Sequence, residues 1–203
     1  MEDILKYLEF TYEPRSVILY GSYSRGEQDE TSDIDCMVIT DHKSREHDSS
    51  LIDGVQLDCY IYTPAETETM DPDVFLPVYD SVILKDDGTG ERLKERVKTY
   101  VKDHAKAPES EKRFVAGWID KTLRRLRKGD DEGCFRGISF LAESLEDYCM
   151  FRDIFYFGSR KTIAMLKEKD PKGYKLFHKA VTGRKNGDIA AWAMHVMRDE
   201  TGE

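Results

Sequence analysis

Apolar and polar residues change their spacing once along this chain, near residue 90. Before that point, short apolar runs are separated by polar segments that contain glycine and proline, as is typical of strands joined by turns. After it, apolar residues recur every three or four positions, as they do on one face of a helix. The pattern predicts a small mixed α/β domain over residues 1–104, followed by an all-helical domain over residues 105–203, with the boundary near Pro108.

The first half is expected to contain a short amphipathic helix at residues 2–9 and four strands. The Asp- and Pro-rich residues 63–73 are expected to form a loop. The predicted strands cover residues 16–20, 34–40, 55–62 and 81–85. In the second half, one helix has an apolar face from Phe114 to Leu126, and the next has an apolar face that includes Ile138 and Leu145. Further helices are expected at residues 159–169, 171–181 and 187–199.

Two aspartates straddle one apolar residue where the second strand begins. On a strand, Asp33 and Asp35 would point to the same face, with Cα atoms about 7 Å apart. Such carboxylates repel each other unless a cation lies between them, and their hard oxygens suit Mg²⁺. Asp58 alternates out of the apolar pattern of the next strand in the same way. Pairing of the two strands would bring a third carboxylate to this site.

A Gly-Ser turn follows the first predicted strand. Gly21 lets the backbone approach a ligand closely, Ser22 adds a hydroxyl, and backbone amides at a helix start favour an anion. Arg25 could add charge-assisted hydrogen bonds to phosphates. An exposed arginine without a role is the alternative.

The spacing of these residues resembles the signature of the polymerase-beta-type nucleotidyltransferase superfamily. The shared pattern is a Gly-Ser turn after an apolar strand, an interval of ten residues, an Asp-apolar-Asp pair and a third acid on the following strand. In this chain the residues are Gly21, Ser22, Asp33, Ile34, Asp35 and Asp58. The resemblance covers residues 15–63.

That resemblance implies transfer of a nucleoside monophosphate from a nucleoside triphosphate to a hydroxyl group, with release of pyrophosphate. It implies that Asp33 and Asp35 bind two Mg²⁺ ions and that Asp58 completes the shell of the catalytic ion. The Gly21-Ser22 turn would hold the terminal phosphates. ATP is the expected donor because of its cellular abundance.

The charge of the chain bears on the acceptor. Superfamily members that extend nucleic acids need clustered Lys and Arg, whereas this chain has a formal net charge of −9. Its densest basic cluster, residues 124–128, lies at a predicted helix end, where cations complement the helix dipole. A small or cationic acceptor is therefore favoured over a nucleic acid.

The order of the two domains is similar to that of small-molecule members such as kanamycin and lincosamide nucleotidyltransferases, by analogy of architecture alone. The analogy implies an aminoglycoside- or lincosamide-like acceptor, hence antibiotic resistance, and a homodimer. Glu143 would be the general base if the site lies between the domains. The alternative is that Glu143, Glu146 and Asp147 form a solvated helix face.

A second class of function stays open, in which the chain acts on, or binds, a toxin-like partner protein. Three intact carboxylates argue against a role in binding only, and the added helical half exceeds the minimal domain typical of toxin-paired members. P-loop and dinucleotide-binding glycine motifs are absent from the sequence.

The remaining composition predicts a cytoplasmic protein. No apolar stretch approaches the length of a membrane span, and the acidic start lacks the positive region of a signal peptide. The four cysteines lie in apolar patterns without metal-site spacing and are expected to be reduced core residues. The five histidines are scattered, and no chemistry is assigned to them.

Overall fold

The computed structural model describes residues 1–198. The chain folds into two compact units, the first ending at Tyr100 and the second beginning at Val101. The end of the last predicted helix, at residue 199, and the end of the predicted second domain, residues 199–203, lie outside the described residues.

The first unit combines a mixed sheet with short helices. Its strands are β1 (Ser16–Leu19), β2 (Ile34–Ile39), β3 (His47–Asp48), β4 (Leu51–Ile52), β5 (Val55–Tyr62) and β6 (Val82–Lys85). Its helices are α1 (Glu2–Tyr12), α2 (Gly21–Arg25) and α3 (Pro64–Thr69), with a 3-10 segment at Pro72–Asp80, and α4 (Thr89–His104) begins in this unit. The four predicted strands and the first helix are confirmed.

The strands follow the order β3-β5-β2-β1-β6, and β4 also pairs with β5. Strand β2 runs parallel to β5 and antiparallel to β1. Every residue of β1 is buried, and the core beneath the sheet includes Leu8 and Tyr12 of α1. The two strands that contain Asp35 and Asp58 are therefore neighbours within a well-packed sheet.

Residues 63–73, predicted to be a loop, contain helix α3. The Thr63 side chain accepts a hydrogen bond from the Glu66 amide, and the Glu66 side chain accepts one from the Thr63 amide, while Pro64 occupies the first turn. This capping box and the helix-compatible φ of proline begin a helix. The loop prediction was wrong because Asp and Pro content does not exclude a helix, whereas the Thr-Pro-x-Glu spacing specifies a helix start.

The second unit is helical, as predicted. It contains the end of α4 and the helices α5 (Glu109–Leu126), α6 (Asp131–Phe151), α7 (Ser159–Lys169), α8 (Pro171–Gly183) and α9 (Asn186–Val196). Ile119, Phe140 and Trp192 lie at its centre. In the described part of the chain, no helix is both long and apolar enough to cross a membrane.

Two residues placed on apolar faces by the sequence pattern are exposed. Phe114 has 77% of its surface exposed and Ile138 has 48%. Phe114 lies about 140° around the helix axis from the fully buried Ile119, because each residue advances a helix by about 100°. The basic cluster lies at the end of α5 as expected, and Arg124 pairs with Asp120 at 3.0 Å.

Candidate functional site

Two of the three predicted metal-binding aspartates lie opposite each other in the sheet. Asp35 on β2 and Asp58 on β5 are Cα partners in the parallel register. Side chains at paired positions of adjacent strands point to the same face. Both residues are half-buried, which leaves their carboxylates within reach of a ligand. The structure thus brings Asp35 and Asp58 together.

Asp33 lies one residue before β2 begins, and it is exposed. Strict alternation of side chains applies within a strand, so the strand does not fix the direction of Asp33. Among residues 1–198, no three His, Cys, Asp or Glu side chains converge closely enough to hold a metal ion. Mg²⁺ commonly takes one or two protein carboxylates and completes its shell with water and substrate phosphates. The Asp35 and Asp58 carboxylates fit that mode of binding.

The Gly21-Ser22 turn packs directly against Asp35. Gly21 has a φ of +70°, and a Cβ atom at this position would overlap the Asp35 carboxylate. The Tyr20 amide donates a hydrogen bond to the Asp35 carbonyl oxygen at 3.0 Å, which fixes the turn to β2. Only glycine combines this backbone conformation with this contact, and the residue type is therefore set by the carboxylate beside it.

The other two residues of the predicted phosphate-binding segment lie in α2. Ser22 is partly exposed and Arg25 is exposed. The Arg25 Nε atom donates to the Glu27 carboxylate at 2.8 Å. A phosphate would compete with Glu27 for this guanidinium.

A half-buried tyrosine lies near both carboxylates. Desolvation is the main cause that raises the pKa of the Tyr20 hydroxyl, and the charges of the Asp58 and Asp35 carboxylates add to it. The hydroxyl donates to the Cys36 carbonyl oxygen at 3.2 Å. Tyr20 is therefore a neutral wall of the site, and the charges around it are negative, as a cation-binding site requires.

A histidine that sequence reasoning left without a role contacts the site. His47 Nε2 lies 2.5 Å from Asp58 Oδ1. His47 belongs to β3, which was not predicted because it has only two residues. The sequence nevertheless contains a signal for a hairpin here, because Asp-Gly is the preferred pair for a two-residue hairpin turn. In the structure Asp53 and Gly54 both have positive φ between β4 and β5.

In the second unit, Glu143 and Glu146 are exposed on α6 but Asp147 is buried, with 8% of its surface exposed. The alternative of a solvated face is therefore wrong for Asp147. Its Oδ2 atom is buried without a hydrogen-bond partner. Burial raises the pKa of Asp147 to about 7, and the charges of Glu143 and Glu146 contribute further.

Asp147→Asn is expected to stabilise the protein at alkaline pH. Because the folded pKa lies above the ordinary value of 3.8, the unfolded chain loses this proton first, and wild-type stability falls as pH rises from about 4 to 7. The Asn side chain does not ionise, and the variant therefore avoids that loss of stability. At pH 8 the variant should unfold about 3 °C or more above the wild type, which corresponds to about 1 kcal/mol.

Thermal unfolding from pH 4 to 9 measures this difference, with Glu168→Gln on the exposed surface of α7 as the control. The gap between Asp147→Asn and the wild type should close towards pH 4. A gap that does not change with pH would show that ionisation of Asp147 is not its cause.

Known proteins share features with this chain. A crystal structure of a nucleotidyltransferase-like protein from Exiguobacterium sibiricum aligns with 95% of this chain and 71% of its own, with a TM-score of 0.39 and 13% sequence identity. A protein of Methanocaldococcus jannaschii, provisionally named a protein adenylyltransferase, is 58% identical over 33 residues. That match spans 16% of this chain and 38% of the relative's length.

The family comparison covers the whole of the sheet and the site. The sequence model of the nucleotidyltransferase domain matches residues 1–115, which is more than half of the 203 residues. This range includes the Gly21-Ser22 turn and the paired aspartates of β2 and β5. The chain belongs to the nucleotidyltransferase domain family.

Proposed function

We propose that the protein transfers a nucleoside monophosphate, from ATP in the first instance, to a hydroxyl group of a small molecule and releases pyrophosphate. The observation that carries the proposal is the in-register pairing of Asp35 with Asp58 beside the Gly21 turn. This arrangement puts the Asp35 carboxylate in contact with the turn that is proposed to bind the phosphates.

Asp35 and Asp58 would hold Mg²⁺, with Asp33 as the further carboxylate of a two-ion site. Bound Mg²⁺ supplies Lewis-acid stabilisation of the phosphoryl oxygens. Gly21 and Ser22 would bind the terminal phosphates through backbone amides and the serine hydroxyl. These groups would orient the triphosphate so that the α-phosphorus faces the acceptor.

The acceptor is proposed from the charge of the chain. A net charge of −9 disfavours a polyanionic acceptor and suits a small or cationic hydroxyl compound, such as an aminoglycoside- or lincosamide-like antibiotic. Glu143 as general base stays a prediction from the sequence, and its side chain is exposed on α6. A homodimer is proposed by the same analogy to small-molecule nucleotidyltransferases.

A protein acceptor is the second candidate. The observation that favours it is the 58% identity over 33 residues to the relative named a protein adenylyltransferase. In this alternative the same carboxylates and turn act on ATP, and the hydroxyl belongs to a Ser, Thr or Tyr side chain of a partner.

Pyrophosphate release distinguishes the two acceptors. ATP, GTP, CTP and UTP would each be tested with Mg²⁺ against aminoglycosides, lincosamides and simple sugars, with Asp35→Asn as the blank. Release that requires both a small acceptor and Asp35 would support the first proposal. Release without any small acceptor, together with label from the α-phosphate of ATP on a protein, would favour the second. Silence across the panel of small acceptors, despite measurable binding of the Mg-nucleotide, would contradict the first proposal and favour a protein acceptor or a binding role.

A further inference from the structure

The side chain of His47 is aligned with Asp58 by the pairing of β3 with β5. His47 lies opposite Tyr60 in the antiparallel register, and Tyr60 is two residues from Asp58, so all three side chains share one face of the sheet. The His47 and Tyr60 rings lie 4.8 Å apart. An ionised carboxylate only accepts hydrogen bonds. In this contact His47 Nε2 is therefore the donor and Asp58 Oδ1 the acceptor, at 2.5 Å.

Strand β3 is too short to fix this contact alone, but the next residue anchors it. Asp48 has 1% of its surface exposed. One of its oxygens accepts from Tyr7 at 2.9 Å and Tyr12 at 2.5 Å, both on α1. The other accepts from the Ser50 amide at 3.0 Å. Helix α1 thus holds β3 in place through Asp48, the residue that directly follows His47.

We propose that His47 is a positioning residue that holds the Asp58 carboxylate for cation binding, an inference that rests on the proposed function. The Nε2 donor engages Oδ1 and restrains rotation of the Asp58 carboxylate, which would then be oriented to hold the cation together with Asp35. Hydrogen bonds to metal-binding carboxylates typically change metal affinity or activity by about 10- to 100-fold. His47 accordingly sets the affinity of the site for the cation.

Binding of Mn²⁺ tests this role without turnover. Mn²⁺ would be titrated into each variant by electron paramagnetic resonance, in the presence of α,β-methylene-ATP, which is not cleaved at the bond that the enzyme breaks. His47→Ala should weaken Mn²⁺ binding about tenfold. His47→Gln, which keeps an N–H donor on a side chain of similar reach, should retain most of the wild-type affinity.

His42→Ala is the matched control, because His42 is an exposed histidine that follows the opposite end of β2, and it should bind Mn²⁺ as the wild type does. Wild-type affinity in His47→Ala would overturn the inference. Equal loss in His47→Ala and His47→Gln would overturn it as well, since the hydrogen bond would then not be the cause.

Asp35→Asn separates this inference from the proposed function. If the wild type does not bind Mn²⁺ with the nucleotide analogue, or if Asp35→Asn binds it equally well, the proposed site itself is wrong. If Asp35→Asn loses binding while His47→Ala keeps it, only the role of His47 is overturned.

Discussion

Asp35→Asn should lower the rate of nucleotidyl transfer by about 10³-fold, because the carboxylate supplies several kcal/mol of transition-state stabilisation through the cation that it holds. The fold should change little. Asn has nearly the same shape as Asp, and removing one charge relieves the repulsion between Asp35 and Asp58, which are direct neighbours in the sheet. Initial rates of pyrophosphate release and a thermal unfolding curve measure the two effects.

Asp41→Asn provides the matched control for this prediction. Asp41 is an exposed aspartate beyond the other end of β2, where it pairs with Arg15. Its substitution should leave the rate unchanged, because surface ion pairs contribute about 0–1 kcal/mol to stability and this one lies away from the paired carboxylates. Near-normal turnover of Asp35→Asn would rule out catalysis through the paired carboxylates.

Gly21→Ala should reduce activity by about 10²-fold, because the new methyl group overlaps the Asp35 carboxylate and a displacement of about 1 Å at a reacting centre has an effect of that size. It should also destabilise the fold by about 1–2 kcal/mol, since the backbone at φ +70° strains any residue with a Cβ. The rate of pyrophosphate release and the free energy of unfolding in urea report these two effects separately.

Gly26→Ala isolates the backbone strain. Gly26 has a φ of +69°, but a Cβ atom there would meet open space. The variant should therefore lose only the stability that backbone strain costs, no more than Gly21→Ala loses, and should keep its activity. If Gly21→Ala and Gly26→Ala lost the same small fraction of activity, the contact between the turn and Asp35 would have no catalytic importance.

The sheet and the pairing of its aspartates were predictable because their signals are local. Asp35 and Asp58 each interrupt an apolar run with period two, and such a pattern specifies which side chains share a face. The residues between β2 and β5 carry no such periodic signal. Strands of two residues have no measurable periodicity, and His47 was therefore missed although the Asp53-Gly54 turn predicts a hairpin.

The burial of Asp147 could not be predicted from apolar periodicity. On α6 the buried positions include Phe140, Ser144, Asp147 and Phe151, at intervals of three and four. Two of these residues are polar, so a search for apolar residues finds a different face. Ser144 is buried because its hydroxyl accepts a hydrogen bond from Trp192 at 2.9 Å, a contact with a residue far along the chain that no local pattern contains.

The most direct test of nucleotidyl transfer follows the fate of radiolabelled ATP. ATP labelled at either the α- or the γ-phosphate would be incubated with Mg²⁺, an acceptor, and either the wild type or Asp35→Asn. The predicted result is transfer of the α label to the acceptor, release of the γ label as pyrophosphate, and loss of both events in Asp35→Asn. Transfer of the γ label, or α-label transfer that does not depend on Asp35, would contradict the assignment of the paired carboxylates.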